Sequence, residues 1–164
     1  MSRTLPERLA QILEEPITGV IATLRRDGRP YTVPIWWLWK DGFLWLTGTS
    51  SRIWCKQLRR DPRMSLCIAT STPTAAHVEV DGRAEWLEPP EFNIWPTSRL
   101  LAEKFVGRGD PSNADALDRF FDNMRTEPRV LFRVTPEVWR AIDLSVYRGK
   151  RADREYRPEQ SPRP

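Results

Sequence analysis

Residues 22–48 read ATLRRDGRPYTVPIWWLWKDGFLWLTG, and this stretch decides the fold class. It holds parts of three β-type runs separated by two charged turns. Arg26-Asp27-Gly28-Arg29 closes the first run, Thr18–Arg25, and Lys40-Asp41-Gly42 closes the second. Asp-Gly between apolar runs is a strong hairpin signal, because the favoured two-residue turns need positive φ at their central positions. Strands joined so tightly must pair antiparallel. In the middle run, Pro30–Trp39, alternation puts Tyr31, Val33, Ile35, Trp37 and Trp39 on one face, with Thr32, Pro34, Trp36 and Leu38 on the other. Both faces are apolar, so the strand is expected to be covered on both sides. Pro34 cannot donate to a ladder, which makes the strand an edge there or breaks it locally. A break leaves backbone groups free to meet a ligand.

Downstream, Phe43–Thr47 is a third strand leading into Gly48–Arg63 (GTSSRIWCKQLRRDPR). Thr49, Ser50 and Ser51 are candidate N-caps, and Arg52, Lys56 and Arg59 then fall at i, i+4 and i+7 on one face of a short helix. Free N–H groups, hydroxyls and a cationic stripe together suit a phosphate-bearing ligand. Upstream, Thr4-Leu-Pro-Glu7 has the capping-box pattern and predicts an amphipathic helix ending before Pro16. Met64–Thr70 and Ala76–Leu87 are further strands, with Asp81-Gly82 either a hairpin turn or a bulge. Pro89–Val106 is helical with an interruption at Pro96. Gly107–Ser112 is a loop, and Asn113–Met124 is a helix turning Ala116, Leu117, Phe120 and Phe121 inward. Val130–Val134 and Val138–Ile142, joined by Thr135-Pro136-Glu137, close the β count. The pattern predicts a mainly β (α+β) chain: a small antiparallel barrel with a few peripheral helices.

Of the formal charge of +4, +3 lies in Ser145–Pro164, so the body is near neutral. Nucleic-acid binding would rest on one short helix and a proline-rich tail, and is not expected. With no membrane-spanning apolar run and no signal-peptide h-region, a cytoplasmic protein without membrane contact is expected. Cys55, Cys67 and the single histidine, His77, are not spaced for a metal, so none is expected. The two cysteines are read as packing residues and His77 as a strand-surface residue.

The segments Ala22–Gly48, then QLRRDPRMSLCI, then VEVDGRAEW resemble, in this order, the pyridoxamine-phosphate-oxidase-like split-barrel family, from about Ile17 to Ile142. The resemblance implies a split-barrel flavin-binding domain over 1–144; from Ser145 onward charge and proline dominate, which predicts a charged, proline-rich tail over 145–164. The resemblance also implies a homodimer with cofactor pockets at the interface and Gly82 at a bulge; Trp139, from its place in the last hairpin, is read as interface packing. The implied cofactor is FMN, the alternative being the deazaflavin coenzyme F-420. Carried over by position, Val33, Pro34, Ile35, Trp36 and Trp37 line the isoalloxazine ring. Thr47 closes the next strand, and Ser51, Arg52 and Lys56 hold the phosphate. Trp54 stands where the family's loop lysine is expected. Leu38 replaces a substrate-contacting lysine, and no Arg-x-His pair follows Ile142, so pyridoxamine-phosphate oxidation itself is not expected. The implied activity is hydride transfer to or from a small molecule, with no catalytic side chain assignable. The alternative is a non-catalytic flavin or tetrapyrrole carrier.

Overall fold

The computed structural model describes residues 7–70, 76–143 and 154–156. The opening stretch forms β1 (Gly19–Leu24), β2 (Pro30–Ile35), β3 (Trp37–Lys40) and β4 (Phe43–Thr49). Then come α2 (Ile53–Arg60), β5 (Arg63–Ala69) and β6 (Ala76–Leu87), with α1 (Glu7–Ala10) ahead of them all. After α3 (Trp95–Ala102) and α4 (Ala114–Arg125) the chain ends in β7 (Arg129–Asp143) and β8 (Arg154–Tyr156). The Thr4 capping box lies outside the described residues, as does most of the 145–164 tail, of which only β8 is described.

The sheet order is β2-β1-β5-β6-β7-β4-β3, all antiparallel, with β8 pairing β7 beyond the end of β4. β2 and β3 are therefore the two edges of the sheet, yet only Trp36 separates them in sequence. A seven-strand path whose ends lie one residue apart along the chain must curl back on itself. The result is an antiparallel barrel left open along the β2–β3 seam, the split barrel expected from the sequence. Pro34 pairs with Val20 on edge strand β2, where a missing donor is tolerated. The break falls two residues later, at Trp36, which has no partner in either ladder. The expected strand Pro30–Trp39 is thus two strands at opposite edges. At the other end of β3, Asp41 and Gly42 have φ of 55° and 79°, the two positive values a tight Asp-Gly turn requires.

Three further expectations change. Thr135-Pro136-Glu137 does not join two strands but lies within β7. Asp81 pairs with Val138 and Gly82 with Pro136, so Glu137 is the extra residue of a bulge. A Cβ on Gly82 would stand 2.7 Å from the Thr135 carbonyl oxygen, which is why glycine belongs there. Pro136, lacking an N–H, sits where the ladder is already disturbed. Pro96 does not interrupt a helix but stands in the first turn of α3, where its ring costs nothing; residues 103–107 continue α3 as a π-helical turn. In α4, Leu117 and Met124 are buried, but Ala116 faces solvent.

Ile21, Leu44, Leu46, Leu66, Ile68, Val78, Val80, Phe132 and Val134 fill the barrel. Trp139 packs edge-on to Trp39, ring centroids 5.3 Å apart, and is buried within its own chain rather than kept for an interface. One end is plugged by α2, whose Trp54, Cys55, Gln57 and Leu58 point inward. Thr23 Oγ1 donates to Gln57 Oε1 at 2.5 Å, a buried bond tying α2 to β1.

Trp37 is fully buried, and its Nε1 donates to the Ile17 carbonyl at 2.7 Å. The Lys104 ammonium lies 3.4 Å from the Trp37 ring centroid and donates to the Leu13 carbonyl at 2.8 Å. Burial pushes Lys104 down from its ordinary 10.5 to about 8, against the opposing pull of Glu14 and Glu15. The unfolded chain therefore holds this proton more tightly than the folded one. Folding stability should rise with pH between about 8 and 10.5, with no slope from this group below that window. Urea denaturation across this range should show the rise in the wild type and lose it in Lys104→Met. An unchanged slope in the variant would assign the rise to another group.

Candidate functional site

Where the β2–β3 seam meets the start of α2, the fold leaves a cavity of about 350 Å³. Pro34, Ile35 and Trp36 form its seam side, and Thr18, Thr47 and Gly48 come from β4 and the entry to β1. Arg52 and Trp54 enter from α2. Leu101, Phe120 and Met124 close it from α3 and α4, and Arg129 enters from β7. Pro34, Ile35, Trp36, Thr47 and Arg52, singled out in the sequence, are thus brought together. The other four lie off the cavity. Val33 packs against the barrel core, Trp37 is inside it, and Ser51 and Lys56 are exposed.

One end is cationic. Arg52 is the N-cap of α2, with extended backbone, so none of Thr49, Ser50 and Ser51 takes that position. Those residues instead shape the turn: Arg52 N–H donates to the Thr49 carbonyl at 3.0 Å and Ser50 N–H to the Pro128 carbonyl at 2.9 Å. The Arg52 side chain is exposed and has no ion-pair partner among the described residues. Arg129 opposes Thr49 in the β4–β7 ladder, which carries it to the same corner. Its side chain is only 13% exposed, and its guanidinium Nη2 stands 2.6 Å from Glu127 Oε2. That contact is not aligned as a hydrogen bond, and the buried Arg129 Nε has no hydrogen-bond partner among the described residues. A buried donor left unmade costs about 1–3 kcal/mol, so this atom calls for an oxygen from a ligand or water. Burial drives the Cys55 thiol up to about 12, with the Arg52 and Arg129 charges acting against it. Both guanidiniums therefore act on this corner, and the thiol stays neutral.

The other end is apolar and aromatic. Trp36 stacks on Phe105, centroids 5.0 Å apart and planes 6° from parallel, and meets Phe120 at 5.3 Å. None of the residues lining this end is ionisable. Thr47 Oγ1 donates to the Val130 carbonyl at 3.1 Å, so toward the cavity it can only accept. Trp54, at the position expected to hold a lysine, is 3% exposed and packs on Phe132 at 5.3 Å. Its ring occupies the space beside Gly48, where a Cβ would come within 2.6 Å of it.

The remaining α2 cations turn elsewhere. Arg59 lies over the Trp86 ring at 4.6 Å, and Arg60 donates to the Leu24 carbonyl. A second cavity, of about 470 Å³, runs along β3 past Leu38, Trp39 and Lys104 with mixed charge. Arg129 escaped the sequence reading because it stands alone between Pro128 and an apolar strand. The available signal was indirect: the strand pairing with the end of β4 must begin beside the loop before α2.

The family model described as Pyridoxamine 5'-phosphate oxidase matches residues 5–143. No curated protein matches the sequence. Among solved structures, a conserved hypothetical protein from Mycobacterium tuberculosis is 24% identical, with a TM-score of 0.68 over 92% of this chain and 94% of that one. An F-420 reductase is 23% identical, with a TM-score of 0.62 over 82% of this chain and 98% of that one. The heme storage protein HutZ of Vibrio cholerae shares the fold at 15% identity, with a TM-score of 0.62 over 84% and 92%. Sequence match, sheet order and seam agree: the chain belongs to the pyridoxamine 5'-phosphate oxidase family of split β-barrels.

Proposed function

We propose that the seam cavity binds an isoalloxazine cofactor, FMN or F-420, and that the protein is an oxidoreductase acting on a small molecule. The observation that carries this is the buried Arg129 Nε beside Arg52, the former without a hydrogen-bond partner and the latter without an ion-pair partner among the described residues, at one end of a cavity whose other end is aromatic. A cofactor with a phosphate and a planar ring matches both ends. The cavity volume is at the low end for small-molecule sites, roughly 300–1,000 Å³. A second copy of the chain covering the rest of the ligand is in keeping with that, which supports the homodimer reading.

When bound, such a cofactor supplies the hydride chemistry. The chain's own part is to hold the phosphate with Arg52 and Arg129 and to set the ring against Ile35 and Trp36. Leu101, Phe120 and Met124 exclude water. Because no ionisable side chain lines the ring end, the same geometry also suits a flavin carrier without turnover. His77 pairs with Ala69 and does not line the cavity, which offers nothing to a histidine-ligated tetrapyrrole there.

Titration of the purified chain with FMN, F-420 and riboflavin tests the binding. At least one phosphate-bearing cofactor should bind about tenfold or more tighter than phosphate-free riboflavin. Equal affinity for all three would remove the cationic end from the reading. Binding without hydride exchange with a reduced nicotinamide or reduced deazaflavin donor would establish the carrier.

A further inference from the structure

We propose that Glu127 biases this site toward a phosphodiester and against a phosphomonoester, selecting F-420 over FMN; this rests on the cofactor reading above. Glu127 does not line the cavity, but its carboxylate lies 2.6 Å from the guanidinium of Arg129, which does. The two cations at the phosphate end, Arg52 and Arg129, thus face one carboxylate, which leaves a single net positive charge. A phosphomonoester such as FMN carries a charge between about −1.5 and −2 near pH 7. A phosphodiester has one ionisable oxygen and carries −1. The diester is neutralised in full by this end of the cavity; the monoester brings surplus negative charge close to Glu127. Like charges brought together in a partly buried site are costly.

A second observation points the same way. Lys56 lies four residues after Arg52, one turn along the exposed face of α2, and has no ion-pair partner among the described residues. It lies off the cavity and in solvent. FMN ends at its phosphate and leaves Lys56 unused. A diester continues past the phosphate, and the anionic lactyl-glutamyl tail of F-420 can meet this lysine on its way out. Arg59 and Arg60 turn instead to the Trp86 ring and the Leu24 carbonyl.

Isothermal titration of the full chain with FMN, F-420 and riboflavin decides it. In the wild type, F-420 should bind roughly tenfold or more tighter than FMN. Glu127→Gln should tighten FMN by roughly tenfold and F-420 by less, because the diester carries the smaller charge, so that the ratio narrows. Lys56→Ala should weaken F-420 several-fold and leave FMN as it was. FMN matching F-420 in the wild type, with both ahead of riboflavin, overturns the charge argument and leaves the cofactor reading standing. An F-420 preference that survives Glu127→Gln unchanged overturns Glu127 as its source. Failure of both phosphate cofactors to outbind riboflavin removes the cofactor reading and this inference together.

Discussion

Trp54→Lys should lower folding stability by about 3–5 kcal/mol, the cost of losing a large core aromatic. The substitution installs the residue expected at this loop position, so a reading by family position alone would expect tighter phosphate binding. The packing of Trp54 predicts the opposite. Trp54 is almost fully buried, packs on Phe132, and fills the space that Gly48 leaves by lacking a side chain. A lysine stem covers less of Phe132 and leaves a void over Gly48. Its ammonium must then stay inside the barrel without a partner or stretch into a corner already holding Arg52 and Arg129. Burial without a partner is expensive, and crowding three cations is unfavourable until an anion arrives. With total stability of a domain near 5–15 kcal/mol, much of the margin would be lost. Urea denaturation of the variant measures this. A Trp54→Lys protein as stable as wild type, binding FMN more tightly, would show that position 54 builds the anion site after all.

The fold was legible where side-chain alternation and turn chemistry agree, and not where topology overrides them. Asp41-Gly42 announces its hairpin because two positive φ values admit few other pairs of residues. Asp81-Gly82 carries the same two letters but forms a bulge, because its glycine answers to the approach of Thr135 across the ladder. Local sequence cannot separate the two cases. The seam is similar. Pro34 marks an edge strand, as its missing donor implies, yet the chain leaves the sheet at Trp36, a residue with no local signal for a break. Only the need to close seven strands into a barrel places it there. At the site, Arg52 was visible because it opens a helix after a hydroxyl-rich loop. Arg129 was not visible, since its importance comes from pairing opposite Thr49, 80 positions away in the chain. Lys56 shares the helical stripe with Arg52 but lies beyond the cavity, because one turn of helix already carries the side chain past its mouth.

Arg129→Gln should weaken binding of the phosphate-bearing cofactor tenfold to a hundredfold, equivalent to roughly 1.5–3 kcal/mol for a charge-assisted contact. Arg52→Ala should weaken it as well, by the smaller end of that range, because the exposed guanidinium is partly screened by water. Riboflavin, which lacks the phosphate, should bind both variants as it binds wild type. That control separates loss of a phosphate contact from general damage to the cavity. The two changes should differ in their effect on folding. Arg52 has no ion-pair partner among the described residues, so Arg52→Ala should stay within about 0.5 kcal/mol of wild type. Arg129 holds Glu127, so Arg129→Gln strands a carboxylate oxygen that is already buried and should cost about 1–3 kcal/mol. The pairing of Glu127 with Arg129 also predicts opposite signs at neighbouring positions: removing the cation weakens FMN, whereas removing the carboxylate charge strengthens it. Cofactor titrations of Arg129→Gln and Glu127→Gln that moved FMN affinity in the same direction would show that the pair acts only as a structural clamp. If Arg129→Gln and Arg52→Ala both bound the cofactor as tightly as wild type, the phosphate would have to lie elsewhere.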